Sequence, residues 1–119
     1  MQVGQLVLLR FPSADLAEGR LRPVLLLARL PGEYDDWLIC MISSQIRHFV
    51  PGFDELISEE SPDFAESGLK TSSVIRVGRL AVVERTLLLG SLGKIGDDRL
   101  HRIKTTLAHW ITTNYFTVA

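Results

Sequence analysis

The runs "PVLLLARL" (23–30) and "WLICMIS" (37–43) constrain the fold more than any other part of this sequence. Each is apolar in both phases of a strand. Val24, Leu26 and Ala28 interleave with Leu25 and Leu27, and Trp37, Ile39 and Met41 interleave with Leu38, Cys40 and Ile42. Strands of this kind must be covered on both faces. In a chain of 119 residues, 46% of them hydrophobic, a barrel interior can cover one face while a helix or a second subunit covers the other. One compact domain, 1–119, is the expected organisation. The intervening "PGEYDD", with its Pro31-Gly32 step, reads as the turn that makes the two runs a hairpin.

The remaining elements are read from periodicity. Val3, Leu6, Leu8 and Leu9 alternate imperfectly and predict a first strand ending near Arg10 or Phe11, and 12–20, "PSADLAEGR", reads as loop. Residues 48–72 read as loop with a short strand near Phe49 or a helical turn over 63–66. "SSVIRVGRLAVVERTLLLGSLGKI" predicts two further strands. From Asp97 the spacing changes: Leu100, Ile103, Leu107, Trp110 and Ile111 recur at helical intervals, and Gly96-Asp97-Asp98 supplies a cap and charges suited to a helix N-terminus. A terminal amphipathic helix over about 98–113 is expected, packed on the sheet.

The net charge of −1 conceals an uneven distribution. Segment 54–66, "DELISEESPDFAE", holds six of the 14 acids and no Lys or Arg, so the rest of the chain has 13 basic against 8 acidic residues. This fits a cationic face beside an acidic flap, and equally a solvated acidic loop with scattered arginines. The lone Cys40, inside an apolar run, reads as a small buried hydrophobe in a reducing compartment. "MQVGQLVLLRF" lacks the pattern of a secretory signal, and no run of about 18 apolar residues occurs. A cytoplasmic protein with no membrane association is expected.

Cys40, His48, His101 and His109 show no closely spaced ligand pair, and "GSLGKIG" lacks the Walker spacing, so neither a metal nor another cofactor is expected. Arg22 is more informative. The proline after it disfavours helical backbone, which sets Arg22 where a loop becomes a strand. For a hairpin centred on 33 and 34, paired residue numbers sum to 67, so that Leu30 opposes Trp37 and Val24 opposes Ser43. Arg22 and Ser43 then project from one face at one end of neighbouring strands. A slip of one residue breaks this geometry. The same spacing also fits a plain strand end, with Ser43 and Ser44 closing the strand and Arg22 capping the loop.

The blocks "VGQLVLLRFPSAD", "GRLRPVLLLARL", "WLICMISSQI" and "GLKTSSVIRVGRLAVVERTLLLGSLGKI" resemble, in order and over nearly the whole chain, the PemK/MazF-type toxins of bacterial toxin–antitoxin modules. The resemblance implies a mainly β fold, a small SH3-like β-barrel with a C-terminal α-helix, usually a homodimer. It also implies an endoribonuclease that cuts single-stranded RNA without a metal and is silenced by an antitoxin protein. In the family the Arg of the Arg-Pro step and a Thr or Ser at the end of the next long strand are the main catalytic residues. These match Arg22 and Ser43, and the Arg of the "SVIR" block matches Arg76.

Such chemistry suits these residue types. RNA carries its own nucleophile, the 2′-OH, so the reaction needs positioning and stabilisation of phosphoryl charge rather than an activated water. An arginine fork matches two phosphate oxygens and stays charged at physiological pH. Gln45 and Arg47 on the strand-end loop are candidate RNA contacts, with Glu18 near the site and Phe11 or Phe49 as partners for unstacked bases. Some relatives carry an Asp two residues after the "SVIR" Arg, where this chain has Gly78. The general acid and base are therefore open, with Glu18 and His48 as candidates. The competing readings are a DNA-gyrase-inhibiting toxin on the same barrel, and an inactive barrel that binds RNA or protein.

Overall fold

Residues 1–11 and 20–114 are described in a computed structural model of the chain. Six strands form one antiparallel sheet: β1 (Gln5–Phe11), β2 (Arg20–Arg29), β3 (Asp36–Ser43), β4 (Glu55–Ile57), β5 (Ser73–Glu84) and β6 (Leu88–Lys94). Their order in the sheet is β4-β5-β3-β2-β1-β6. A short helix α1 (Phe64–Ser67) and the long terminal helix α2 (Asp97–Thr113) complete the fold, with 3-10 turns at Ile46–His48 and Arg85–Leu87. The mainly β class with a C-terminal helix is as expected. Among the described residues no pairing joins β4 to β6, so where a barrel was expected the sheet is open.

The β2–β3 hairpin departs from the expected register in two steps. At the turn, Arg29 Nε and Trp37 Nε1 both donate to Asp35 Oδ1, at 3.2 and 2.9 Å, and Leu30 N–H donates to Asp36 O at 2.9 Å. These bonds centre the turn on Glu33, so Trp37 pairs with Arg29 rather than Leu30. Alone, that slip would turn one strand over relative to the other. A bulge between Leu26 and Ala28 then absorbs one more residue, and beyond it Leu26, Leu25 and Val24 pair with Ile39, Cys40 and Met41. The second shift restores the face that the first inverted.

Two apolar clusters lie on the two faces. Leu25, Leu27, Cys40, Ile42, Ile75 and Val77 meet Ile103 and Leu107 of α2, with Leu100 and Trp110 packed alongside. Val7, Leu9, Val24, Leu26, Trp37, Ile39 and Leu88 form the other cluster, whose described members all come from strands. The apolar positions of both phases in β2 and β3 are thus accounted for. Ile111, grouped by spacing with the core face of the helix, is instead 64% exposed.

The acidic segment is a solvated loop only in part: Glu59, Glu60 and Glu66 are exposed, while Asp54, Glu55 and Asp63 turn inward. Arg99 of α2 makes a two-pronged contact with Asp63, Nε to Oδ2 at 2.8 Å and Nη2 to Oδ1 at 3.1 Å, with both side chains buried. It also donates to Glu55 Oε1 and Leu56 O, each at 3.0 Å, and Arg102 donates to the same Glu55 oxygen at 3.0 Å. Gly96 N–H donates to Asp63 Oδ2 at 3.0 Å, so the first turn of α2 is capped from a distant carboxylate rather than by its own Asp97 or Asp98. Three of the acids, Asp54, Glu55 and Asp63, are internal partners; Glu55 fastens α2 to β4, and Asp63 fastens it to the segment before α1.

Candidate active site

Continued two residues past the Val24–Met41 pair, the β2–β3 register sets Arg22 opposite Ser43, on the face that carries Val24 and Met41. Arg76 of β5 pairs with Met41 from the other side, and Val74 with Ser43. Arg22, Ser43 and Arg76 therefore share one face at one end of three neighbouring strands. The shared face arises from a register different from the one the sequence suggested.

Ser43 ends β3 and organises the turn after it. Its Oγ accepts the Gln45 N–H at 3.0 Å, a side-chain turn across two residues, and lies 3.3 Å from His48 Nδ1. The Ile46–His48 turn brings the imidazole back over the strand end, half-buried. Partial burial first, and then the positive charges of Arg76, Arg47 and Arg79, hold the His48 pKa below its ordinary value. Arg79 reaches this neighbourhood through a second irregularity. Between Met41–Arg76 and Cys40–Leu80, β5 carries three residues, Val77, Gly78 and Arg79, that have no counterpart in β3.

That bulge is held from inside. Asp54, 7% exposed, accepts the Val77 N–H through Oδ1 and the Val50 N–H through Oδ2, each at 3.0 Å. Gly78 lies against the Phe53 ring, where a Cβ would come within 3.1 Å of Cε2. Phe53 in turn meets Trp110 of α2 edge-on, with ring centroids 5.4 Å apart. Where some relatives have an acid, this chain has a close backbone-to-ring contact.

The other candidates are placed less centrally. Gln45 is exposed and serves Ser43 through its backbone, while Arg47 is exposed on the turn and acts on His48. Phe11 ends β1 opposite Arg20, with its side chain outside the described residues, as is the whole of Glu18. Phe49 is half-buried beside the turn. Burial, with the Asp54 carboxylate adding to it, pushes the Cys40 thiol up to about 12, which suits an inert core residue. Among the described residues no group of three His, Cys, Asp or Glu is placed to hold a metal ion, and no helix is long and apolar enough to cross a membrane.

Arg22 also lines a groove of about 340 Å³ with Pro23, Ile42, Ser44, Lys70 and Ser73. Arg22, Arg47, Arg76 and Arg79 form no ion pair with a described residue, in contrast to Arg99 and Arg102. Sequence reasoning missed Arg79 because period-2 counting puts it on the face opposite Arg76. The glycine between them was the one available signal of a bulge.

An open six-stranded antiparallel sheet with one long C-terminal helix, and an arginine-rich strand-end rim around a serine and a histidine, define the class of small β protein to which this chain belongs. A family model described as "PemK-like, MazF-like toxin of type II toxin-antitoxin system" matches residues 2–111, and the chain is a member of that family. Its fold is similar to that of Deinococcus radiodurans MazF in a MazE–MazF crystal, with a TM-score of 0.71, 20% identity, and 95% of this chain and 96% of that one covered. It is likewise similar to the Mycobacterium tuberculosis toxin MazF-mt6 (0.65, 15%, 93% and 99%). A mycobacterial endoribonuclease solved with its cognate antitoxin is similar over 98% of this chain and 99% of that one (0.65, 12%). No curated protein sequence matches.

Proposed function

We propose that this toxin-family chain is an endoribonuclease that cleaves single-stranded RNA by attack of the 2′-OH on the adjacent phosphate, leaving a 2′,3′-cyclic phosphate, without a metal. The observation that supports it best is a strand-end rim on which Ser43 and His48 touch, Arg47, Arg76 and Arg79 act on that histidine, and none of these arginines pairs with a described carboxylate, with Arg22 set on the same face by the strand register. Arg22 clamps two non-bridging oxygens of the scissile phosphate, and Ser43 Oγ donates to one of them as charge builds. Arg76 adds positive charge from the neighbouring strand, and Arg47 and Gln45 meet the flanking backbone.

Association with a cognate antitoxin is proposed from family membership and from the structural neighbours solved as MazE–MazF complexes. A homodimer and a cytoplasmic site of action belong to the same reading. The test is an RNA oligonucleotide incubated with purified protein in excess chelator. Cleavage that stops when the 2′-OH 5′ to the cut is replaced by 2′-O-methyl is the expected result. Intact RNA together with inhibition of DNA gyrase would favour the non-nuclease toxin, and retention of RNA without cleavage the binding barrel.

A further inference from the structure

The His48 imidazole makes none of these phosphate contacts, yet its position on the rim suits a proton acceptor. We infer that His48 is the general base of the reaction, taking the 2′-OH proton on Nε2 while its Nδ1–H fixes the Ser43 hydroxyl toward the phosphate. The inference rests on the ribonuclease reading and assigns the base that the family pattern leaves open in this chain.

The hydroxyl of Ser43 has one proton to give and two lone pairs to fill. Gln45 N–H occupies one lone pair at 3.0 Å, and His48 Nδ1 stands 3.3 Å from the same oxygen. With the proton on Nδ1, both lone pairs are engaged by N–H donors and the serine proton is left to point away from them, toward a bound phosphate. A neutral ring that donates from Nδ1 presents an unprotonated Nε2. A phosphate held by Ser43 has its own 2′-oxygen within a few ångströms, close to an imidazole already touching that serine.

The charges acting on the ring come from Arg76 and Arg79 of β5 and from Arg47 of its own turn, all positive. Partial burial and these charges together lower the ring's pKa, which favours the neutral form a base needs. In the step itself the 2′-O–H bond breaks with its proton passing to Nε2, the 2′-O–P bond forms, and the P–O5′ bond breaks. The departing 5′-oxygen takes a proton from water, and the imidazolium returns its proton to solvent.

The test is the single-turnover cleavage rate of an RNA oligonucleotide against pH, for wild type, H48Q and H48A. Wild type should lose activity as pH falls, with a midpoint below 6.5, the ordinary histidine value. H48Q should be slower by about 10²–10⁴-fold and lack that acid limb, while added imidazole should restore H48A in proportion to its concentration. A 5′-thio leaving group should leave the H48Q defect in place, since a base does not serve the leaving oxygen.

A wild-type rate without an acid limb, or H48Q cleaving with the wild-type rate and profile, would overturn the role of His48 while leaving the ribonuclease reading intact. Rescue of H48Q by the 5′-thio substrate would likewise overturn it, making the residue an acid. Absence of any cleavage by wild type would bring down both.

Discussion

At the scale of single residues, the proposed reaction rests on Arg22 and Ser43 sharing one phosphate. Removing one well-placed donor to a developing oxyanion lowers the rate by about 10²–10³-fold. Ser43→Ala should show this loss with a melting temperature lowered only by the loss of the turn bond from Gln45, about 1 kcal/mol, whereas Ser43→Thr, which keeps the hydroxyl, should stay active. Arg22→Lys keeps the charge but loses the fork, and should fall well below wild type. Rates close to wild type for both Ser43→Ala and Arg22→Lys would contradict the assignment. Gly78 carries a different prediction. A methyl there presses on the Phe53 ring at 3.1 Å, so Gly78→Ala should lower stability by about 1–3 kcal/mol. Phe53→Leu should recover part of that loss in a double-mutant cycle, and simple additivity in chemical denaturation would refute the contact.

At the scale of elements, α2 is held as much by ionic contacts as by its apolar face. Breaking a buried pair by removing one partner costs about 3–5 kcal/mol. Asp63→Asn should therefore be strongly destabilising in urea titration, while Asp97→Asn should change little. Burial raises the Asp63 carboxyl pKa, but the Arg99 bond, the Gly96 N–H and the Arg99 charge outweigh it, leaving the pKa below the usual carboxylate value. The unfolded chain then takes up the proton first. Stability from this group is complete above about pH 4 and is lost as pH falls through the lower folded value. Loss of helical signal on acidification should begin in that window, and Asp63→Asn should remove this contribution.

The elements also show what the sequence could and could not reveal. Double-phase apolarity in 23–30 and 37–43 marked the two-sided strands, and the spacing from Leu100 to Trp110 marked the helix, because burial leaves a periodic trace. The register left no such trace. It is set by Asp35 gathering Arg29 and Trp37 at the turn, and by a bulge at Leu27 with no signature in residue type. The shared face of Arg22 and Ser43 survives the wrong register only because two one-residue shifts compensate. Glu55 and Asp63 looked like solvent charge because their partners lie more than thirty residues away in α2.

Across the whole molecule, charge is divided by role. Arg99 and Arg102 are neutralised by Glu55 and Asp63, while Arg22, Arg47, Arg76 and Arg79, at the strand-end rim, have no ion-pair partner among the described residues. The near-neutral sum therefore hides a local positive field. Binding of single-stranded RNA should weaken with salt, with a log–log slope of about −0.7 per phosphate neutralised. Arg47→Ala and Arg79→Ala should each flatten that slope by about one contact, and Arg102→Ala should leave it unchanged. Equal effects of all three substitutions would mean that the charge is not partitioned in this way.

The most direct measurement of the central claim is the chemical identity of the new RNA ends, read by mass spectrometry after incubation in chelator with wild type, Arg22→Ala and Ser43→Ala. Wild type should yield a 2′,3′-cyclic phosphate facing a 5′-hydroxyl, and either variant at least about 100-fold less of it. A 3′-hydroxyl facing a 5′-phosphate, or the same cyclic product at undiminished rate from both variants, would contradict it.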